Sequence, residues 1–131
     1  MTRRRPKTAS HTARAAVWLT ALAAVGTALM AVSHAGVAVP VLAGIGPATG
    51  VVVPIAAAGF GLATLVLVVA LVGLHRRRPW GWALATLAHA LVVLAAAFPI
   101  RGVGSWLGIA LSGAAFVLLL TGSARRELAP R

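Results

Sequence analysis

Aspartate, asparagine, glutamine, tyrosine and cysteine are all missing from this 131-residue chain, and glutamate occurs once, at position 127. The lack of cysteine excludes disulfides, thiol redox chemistry and cysteine metal sites together. A single acid leaves no carboxylate pair for general acid–base work. No Ser/His/acid set and no phosphate-cradling loop is present, so the expectation is a non-enzyme without a cofactor. Only 10% of the residues are charged, against roughly a quarter in a soluble domain. Nothing remains from which to build a polar surface, and lipid is the solvent this composition suits.

What is present is 60% hydrophobic. A hydrocarbon core about 30 Å thick needs about 20 apolar residues of helix. Runs at 15–35, 54–74, 80–98 and 102–122 meet that length, and none contains Lys, Arg, Asp or Glu. At about 1.5 Å per residue each covers roughly 28 to 32 Å. Such runs exceed the usual strand, and an unpaired strand in lipid would leave its backbone polar groups unsatisfied. The expected fold class is all-α: a polytopic membrane protein with four transmembrane helices in an up-down bundle. Residues 1–14 and 123–131 are then basic tails flanking a transmembrane domain over 15–122.

The net charge is +11, and the cations sit in blocks between the apolar runs. Arg3, Arg4, Arg5, Lys7 and Arg14 precede the first run; Arg76, Arg77 and Arg78 lie between the second and third; Arg125, Arg126 and Arg131 follow the fourth. Only Arg101 falls in the two other links. By the positive-inside rule both termini are cytoplasmic, in the inner or plasma membrane. Blocks of this kind also attract anionic lipid headgroups, at about 1 kcal/mol per cation near the surface. They do not form a basic stripe with stacking aromatics, so nucleic acid is not an expected partner. Trp18, Trp80 and Trp82 fall near the inner interface and Trp106 near the outer, as amphipathic rings prefer.

The link 36–53 is apolar but broken by Pro40, Gly44, Gly46, Pro47 and Gly50. It suits either an interfacial loop or a re-entrant dip, and the second helix begins either at Pro54 or near Ala48 with Pro54 as a kink. The first run has a rival reading as a cleaved signal ending at Ser33-His34-Ala35. Its length exceeds the usual 7 to 15 residues of such a segment and favours a retained anchor. An offset of 49 aligns Gly59 with Gly108, Leu62 with Leu111, Val68 with Val117, Gly73 with Gly122, and Arg76 and Arg77 with Arg125 and Arg126. That pattern suggests two repeated helical hairpins.

Ionisable groups inside a membrane are functional candidates by default, and His34 and His89 are the two here. A bis-histidine haem is disfavoured by depth, since the two sit roughly 10 to 12 Å apart along the bundle axis. Zinc lacks further ligands. Thr20, Thr27 and His34 recur at intervals of seven on the first helix, and Trp82, Thr86 and His89 line the third. These stripes suit either a polar path or hydroxyls bonded to their own helix backbone. Gly104, Gly108 and Ser112 form a small-residue face for close helix packing, within the chain or with a second copy.

In size and helix count the chain is similar to small multidrug transporters and to fluoride channels. The first use a membrane-embedded glutamate, and this chain has no acid before Glu127; the second rely on asparagine and other polar pore groups absent here. The leading expectation is therefore a membrane protein acting by helix–helix association with itself or a membrane partner. The alternative is a channel or transporter for a small or apolar solute, not coupled through a carboxylate.

Overall fold

The computed structural model describes residues 10–43, 45, 50–98, 100 and 102–129. Arg3, Arg4, Arg5 and Arg101, and the alternative helix start near Ala48, lie outside the described residues. The protein is an all-α bundle of four long apolar helices: α1 (His11–His34), α2 (Pro54–His75), α3 (Pro79–Ala97) and α4 (Val103–Leu120), followed by a short α5 (Gly122–Leu128). Each of the four is long and apolar enough to cross a membrane. They form a four-sided bundle in which α1 neighbours α2 and α4, and α3 neighbours the same two from the opposite corner.

Size rather than polarity sorts the side chains between inside and outside. The interior is mostly alanine, including Ala16, Ala23, Ala70, Ala85 and Ala115, with Leu67, Leu74 and Leu119 as its large members. The exterior carries the bulk of the large apolar groups, such as Ile55, Leu62, Leu87, Leu91 and Val117. A soluble monomer rarely exposes continuous apolar surface on this scale. Small residues inside let the backbones approach, which is how helices pack where lipid competes for every apolar contact.

The connections are closed by backbone chemistry. Arg76 to Arg78 make a three-residue turn in which the Arg77 N–H donates to the Leu74 carbonyl (3.0 Å) and the Arg78 N–H to that of Gly73 (2.9 Å). This is a Schellman ending, and Arg77 takes the left-handed position (φ 52°) that glycine usually fills. Immediately beyond it, Gly73 and Gly81 bring α2 and α3 into backbone contact. A Cβ on Gly73 would lie 2.5 Å from Gly81 Cα. Pro54 and Pro79 each occupy a first-turn position, where a missing N–H is harmless. Pro54 therefore starts α2 rather than kinking it.

The two ends of the α1–α2 link lie side by side. Its neck is pinched by an isolated antiparallel bridge between Ala35 and Val52 and by the Val53 N–H donating to the His34 carbonyl (2.8 Å). A 3₁₀ turn (Pro40–Leu42) shapes it, and Ile45 reaches the first turn of α4 at Gly104.

Two helix boundaries differ from the sequence expectation by more than one residue, and for one reason, capping. The first helix starts at His11 rather than 15, because Ser10 caps it and accepts from the Ala13 N–H (3.2 Å). The fourth stops at Leu120 rather than 122, because Thr121 turns extended and caps α5. The segment expected to be a basic tail is thus partly helical. It folds under the bundle and buries Ala124 and Leu128 against Ala13, Ala16 and Leu119.

Candidate functional site

Two polar constellations stand out from the apolar background, one in the bundle centre and one at its end.

At the centre, Thr20 on α1 and His89 on α3 are both fully buried, with Oγ1 and Nε2 3.0 Å apart. Because α1 and α3 occupy opposite corners, this hydrogen bond crosses the diagonal of the bundle. The Thr20 hydroxyl donates to the Ala16 carbonyl (2.8 Å), so the pair is satisfied when His89 donates from Nε2. The ring's other nitrogen, Nδ1, then carries a lone pair with no partner among the described residues. Two turns along α1, Thr27 donates to the carbonyls of Ala23 and Ala24 (3.0 Å each) and accepts from Thr64 of α2 (2.9 Å). Thr86 bonds its own helix at Trp82 (2.8 Å). Thr64 was not among the residues the sequence suggested, because a lone threonine in an apolar run carries no periodic signal.

The structure separates the two histidines further than the sequence suggested. His89 is level with Thr20, and His34 lies fourteen residues further along α1, about 21 Å at 1.5 Å per residue. His34 hydrogen-bonds the Met30 carbonyl through Nδ1 (2.8 Å) and packs on Phe60, ring centroids 5.1 Å apart. The two imidazoles cannot share one iron. The stripe Thr20, Thr27, His34 splits accordingly: the threonines face the core and the histidine faces the rim.

The small-residue face on α4 is used inside the chain. Ser112 is 1% exposed, Gly108 lies against Ala96 of α3, and Gly104 lies under Ile45 of the α1–α2 loop.

At the bundle end, Glu127 on α5 accepts from the Ser10 backbone N–H (2.9 Å) and the Ser10 hydroxyl (2.7 Å). In a capping box a glutamate on the helix's own first turn would reach back to this N–H. Here α1 has no acid in its first turn, and the role falls to the one acid of the chain, 117 positions away. The carboxylate also sits at the positive end of the helix dipole and 4.0 Å from Arg77 of the α2–α3 turn. The Ser10 backbone hydrogen bond, then the Ser10 hydroxyl, Arg77 and Arg14, hold its carboxyl below the ordinary value, while partial desolvation acts the other way.

Beside this latch the Trp82 indole N–H donates to the Leu119 carbonyl (2.9 Å) at the end of α4, and Arg125 lies over the Trp82 ring, 5.2 Å from its centroid. The N-terminus of α1, the α2–α3 turn, the start of α3 and α5 are thereby drawn together. Arg14, Arg76, Arg77, Arg78, Arg125 and Arg126 gather at that one end. The signal for the latch was visible as a lone carboxylate in a strongly basic chain, but its partner was not.

Among known proteins, no family model, curated protein or solved structure matches this chain.

Proposed function

We propose that this is a non-enzymatic, multi-pass protein of the inner or plasma membrane, with both termini cytoplasmic. It acts by packing its helical surface against a second copy or a membrane partner. The gathering of Arg14, Arg76 to Arg78, Arg125 and Arg126 at one end of the bundle supports the orientation, and suits attraction to anionic headgroups there. A two-hairpin duplication is supported by the starts of α2 and α4 at Pro54 and Val103, which keep the offset of 49. The equivalence parts at Gly73, buried against α3, and Gly122, exposed where α5 begins.

One observation carries the association reading. The outer half of α2, residues 54–66, contains no buried residue, and Gly59 and Gly61 have nothing within 4 Å of a Cβ built on them. With the α4 face consumed internally, this is the open small-residue surface a partner helix would fit. The lack of native cysteine makes the test clean. Single cysteines at Ala58 and Leu62, oxidised in native membranes, should yield a dimer or a partner adduct, whereas one at Val117 on α4 should not. Monomer alone at every position overturns the proposal.

The transport reading has one observation in its favour, the polar diagonal of Thr20 and His89 with its unpaired Nδ1. Replacing His89 and Thr27 by leucine separates the two readings. Loss of a membrane phenotype with intact expression would favour transport, and its retention would sink it.

A further inference from the structure

A groove of about 230 Å³ opens between α1, α2 and α5 at the end of the bundle that carries the latch. Its floor is apolar, formed by Ala13, Val17, Leu74 and Leu128, and its walls carry Arg14, His75 and Arg77, with the Glu127 carboxylate between them at the α5 side; the three basic residues are exposed. Trp18, 70% exposed, stands at the lip. Arg14 and Trp18 are four residues apart on α1 and share a face. A cation therefore lies directly above a ring that faces lipid, the order in which a phospholipid presents phosphate and then hydrocarbon.

We propose that this groove binds one anionic phospholipid, its headgroup phosphate held by Arg14 and Arg77 with His75 beside them. The first acyl carbons would lie along Val17 and Trp18. Guanidinium groups present planar paired donors that match phosphate oxygens. Arg77 keeps donors free for this, because its approach to Glu127 Oε1 is 4.0 Å, long for an ion pair, and Ser10 holds the other carboxylate oxygen. The volume suits a headgroup rather than a whole lipid. The apolar floor running out to Trp18 favours a lipid over a free anion, which would make no use of that floor and would meet the Glu127 carboxylate beside the cations. This inference rests on the reading that this end of the bundle lies among headgroups, and it adds a defined site to that diffuse attraction.

The test uses the full chain in phosphatidylcholine vesicles containing phosphatidylglycerol, with the bromine quencher on the acyl chains of one lipid or the other. The quenching lost in Trp18→Phe isolates the ring at the groove. Brominated phosphatidylglycerol should quench Trp18 at a several-fold lower mole fraction than brominated phosphatidylcholine. The pair Arg14→Gln with Arg77→Gln should abolish that preference. The pair Arg76→Gln with Arg78→Gln removes equal charge from the same end but spares the groove, and should leave the preference intact. Val17→Phe, which fills the floor with every cation kept, should abolish it too and guards against a folding defect in the arginine pair. Equal loss in both arginine pairs overturns the site and leaves only diffuse attraction. No preference in the wild type overturns the headgroup reading with it. Inorganic phosphate erasing the preference where chloride at matched ionic strength does not would show a free-anion site and overturn the lipid assignment.

Discussion

Replacing Gly73 by alanine tests the backbone contact between α2 and α3. The added Cβ would sit 2.5 Å from Gly81 Cα and 2.7 Å from the Trp80 ring, where ordinary contact begins at 3.4 Å. Since one neighbour is backbone, no rotamer change relieves it, and α2 and α3 must part by about 1 Å in a densely packed region. Parting them strains the turn, because the Gly73 carbonyl receives the Arg78 N–H at 2.9 Å. Overpacking of this kind costs about 1 to 3 kcal/mol, and a weakened turn hydrogen bond adds about 1 kcal/mol. The sum, about 2 to 4 kcal/mol, shifts the unfolding equilibrium roughly 30- to 700-fold. Gly59→Ala is the matched control, because nothing lies within 4 Å of its Cβ. As an exposed helical site it should stay within about 0.5 kcal/mol of wild type or gain from helix propensity. Sodium dodecyl sulfate titration of both variants in mixed micelles, followed by tryptophan fluorescence and circular dichroism, gives the two values. Equal stability of Gly73→Ala and Gly59→Ala would refute the close approach.

Glu127→Gln should destabilise the protein by about 1 kcal/mol at neutral pH, a charged hydrogen bond discounted for its part-exposed setting. The carboxyl is held below its ordinary value of 4.5, so its contribution is complete above that value and is lost as pH falls through the lower, folded one. Stability titrations of wild type and variant should therefore converge in acid; curves that stay parallel would show that Glu127 contributes nothing as an anion. For the central diagonal, a double-mutant cycle of Thr20→Val and His89→Leu should return a coupling near 1 kcal/mol, between the average of about 0.6 and the maximum of about 1.7 that such cycles give for interhelical hydrogen bonds in membranes. A coupling indistinguishable from zero would mean that the two side chains merely touch.

The spans were legible because lipid leaves length and charge as nearly the whole signal. A run of about 20 residues with no ionised group has one low-energy solution in a bilayer, so each observed helix lies within a few residues of its expected limits. The boundaries that moved did so where a hydroxyl caps a helix. Ser10 lets α1 take in Arg14, and Thr121 stops α4 early. The second of these was readable in principle: Thr121 at the start, Arg125 and Arg126 in the last turn and Pro130 beyond are helix punctuation. It was obscured by reading the segment for its charge alone.

Which side of each helix faces inward was legible only where a few polar or small residues share a face, because a helix otherwise apolar all round has no amphipathic stripe to orient it. Here the sorting variable is volume, and the polar exceptions follow the small residues. Thr20, Thr27 and Ser112 lie inside with the alanines, whereas His34, at the same heptad spacing, lies at the rim. His89 is the one large polar group taken into that interior among the described residues, and its partner, Thr20 of the other stripe, reaches it from the opposite corner of the bundle. Partnership across a diagonal depends on helix rotation, which no pattern along a single helix encodes. Glu127 makes the same point at the bundle end. In a chain with twelve cations, simple charge counting would set its one acid against an arginine, yet among the described residues its short contacts are to Ser10 and the nearest arginine is at 4.0 Å. An exposed ion pair gains little over water, while the unpaired N–H groups at a helix start gain a full charge-assisted hydrogen bond. The carboxylate therefore goes to the helix end, and the arginines around it stay available to whatever anion the membrane presents.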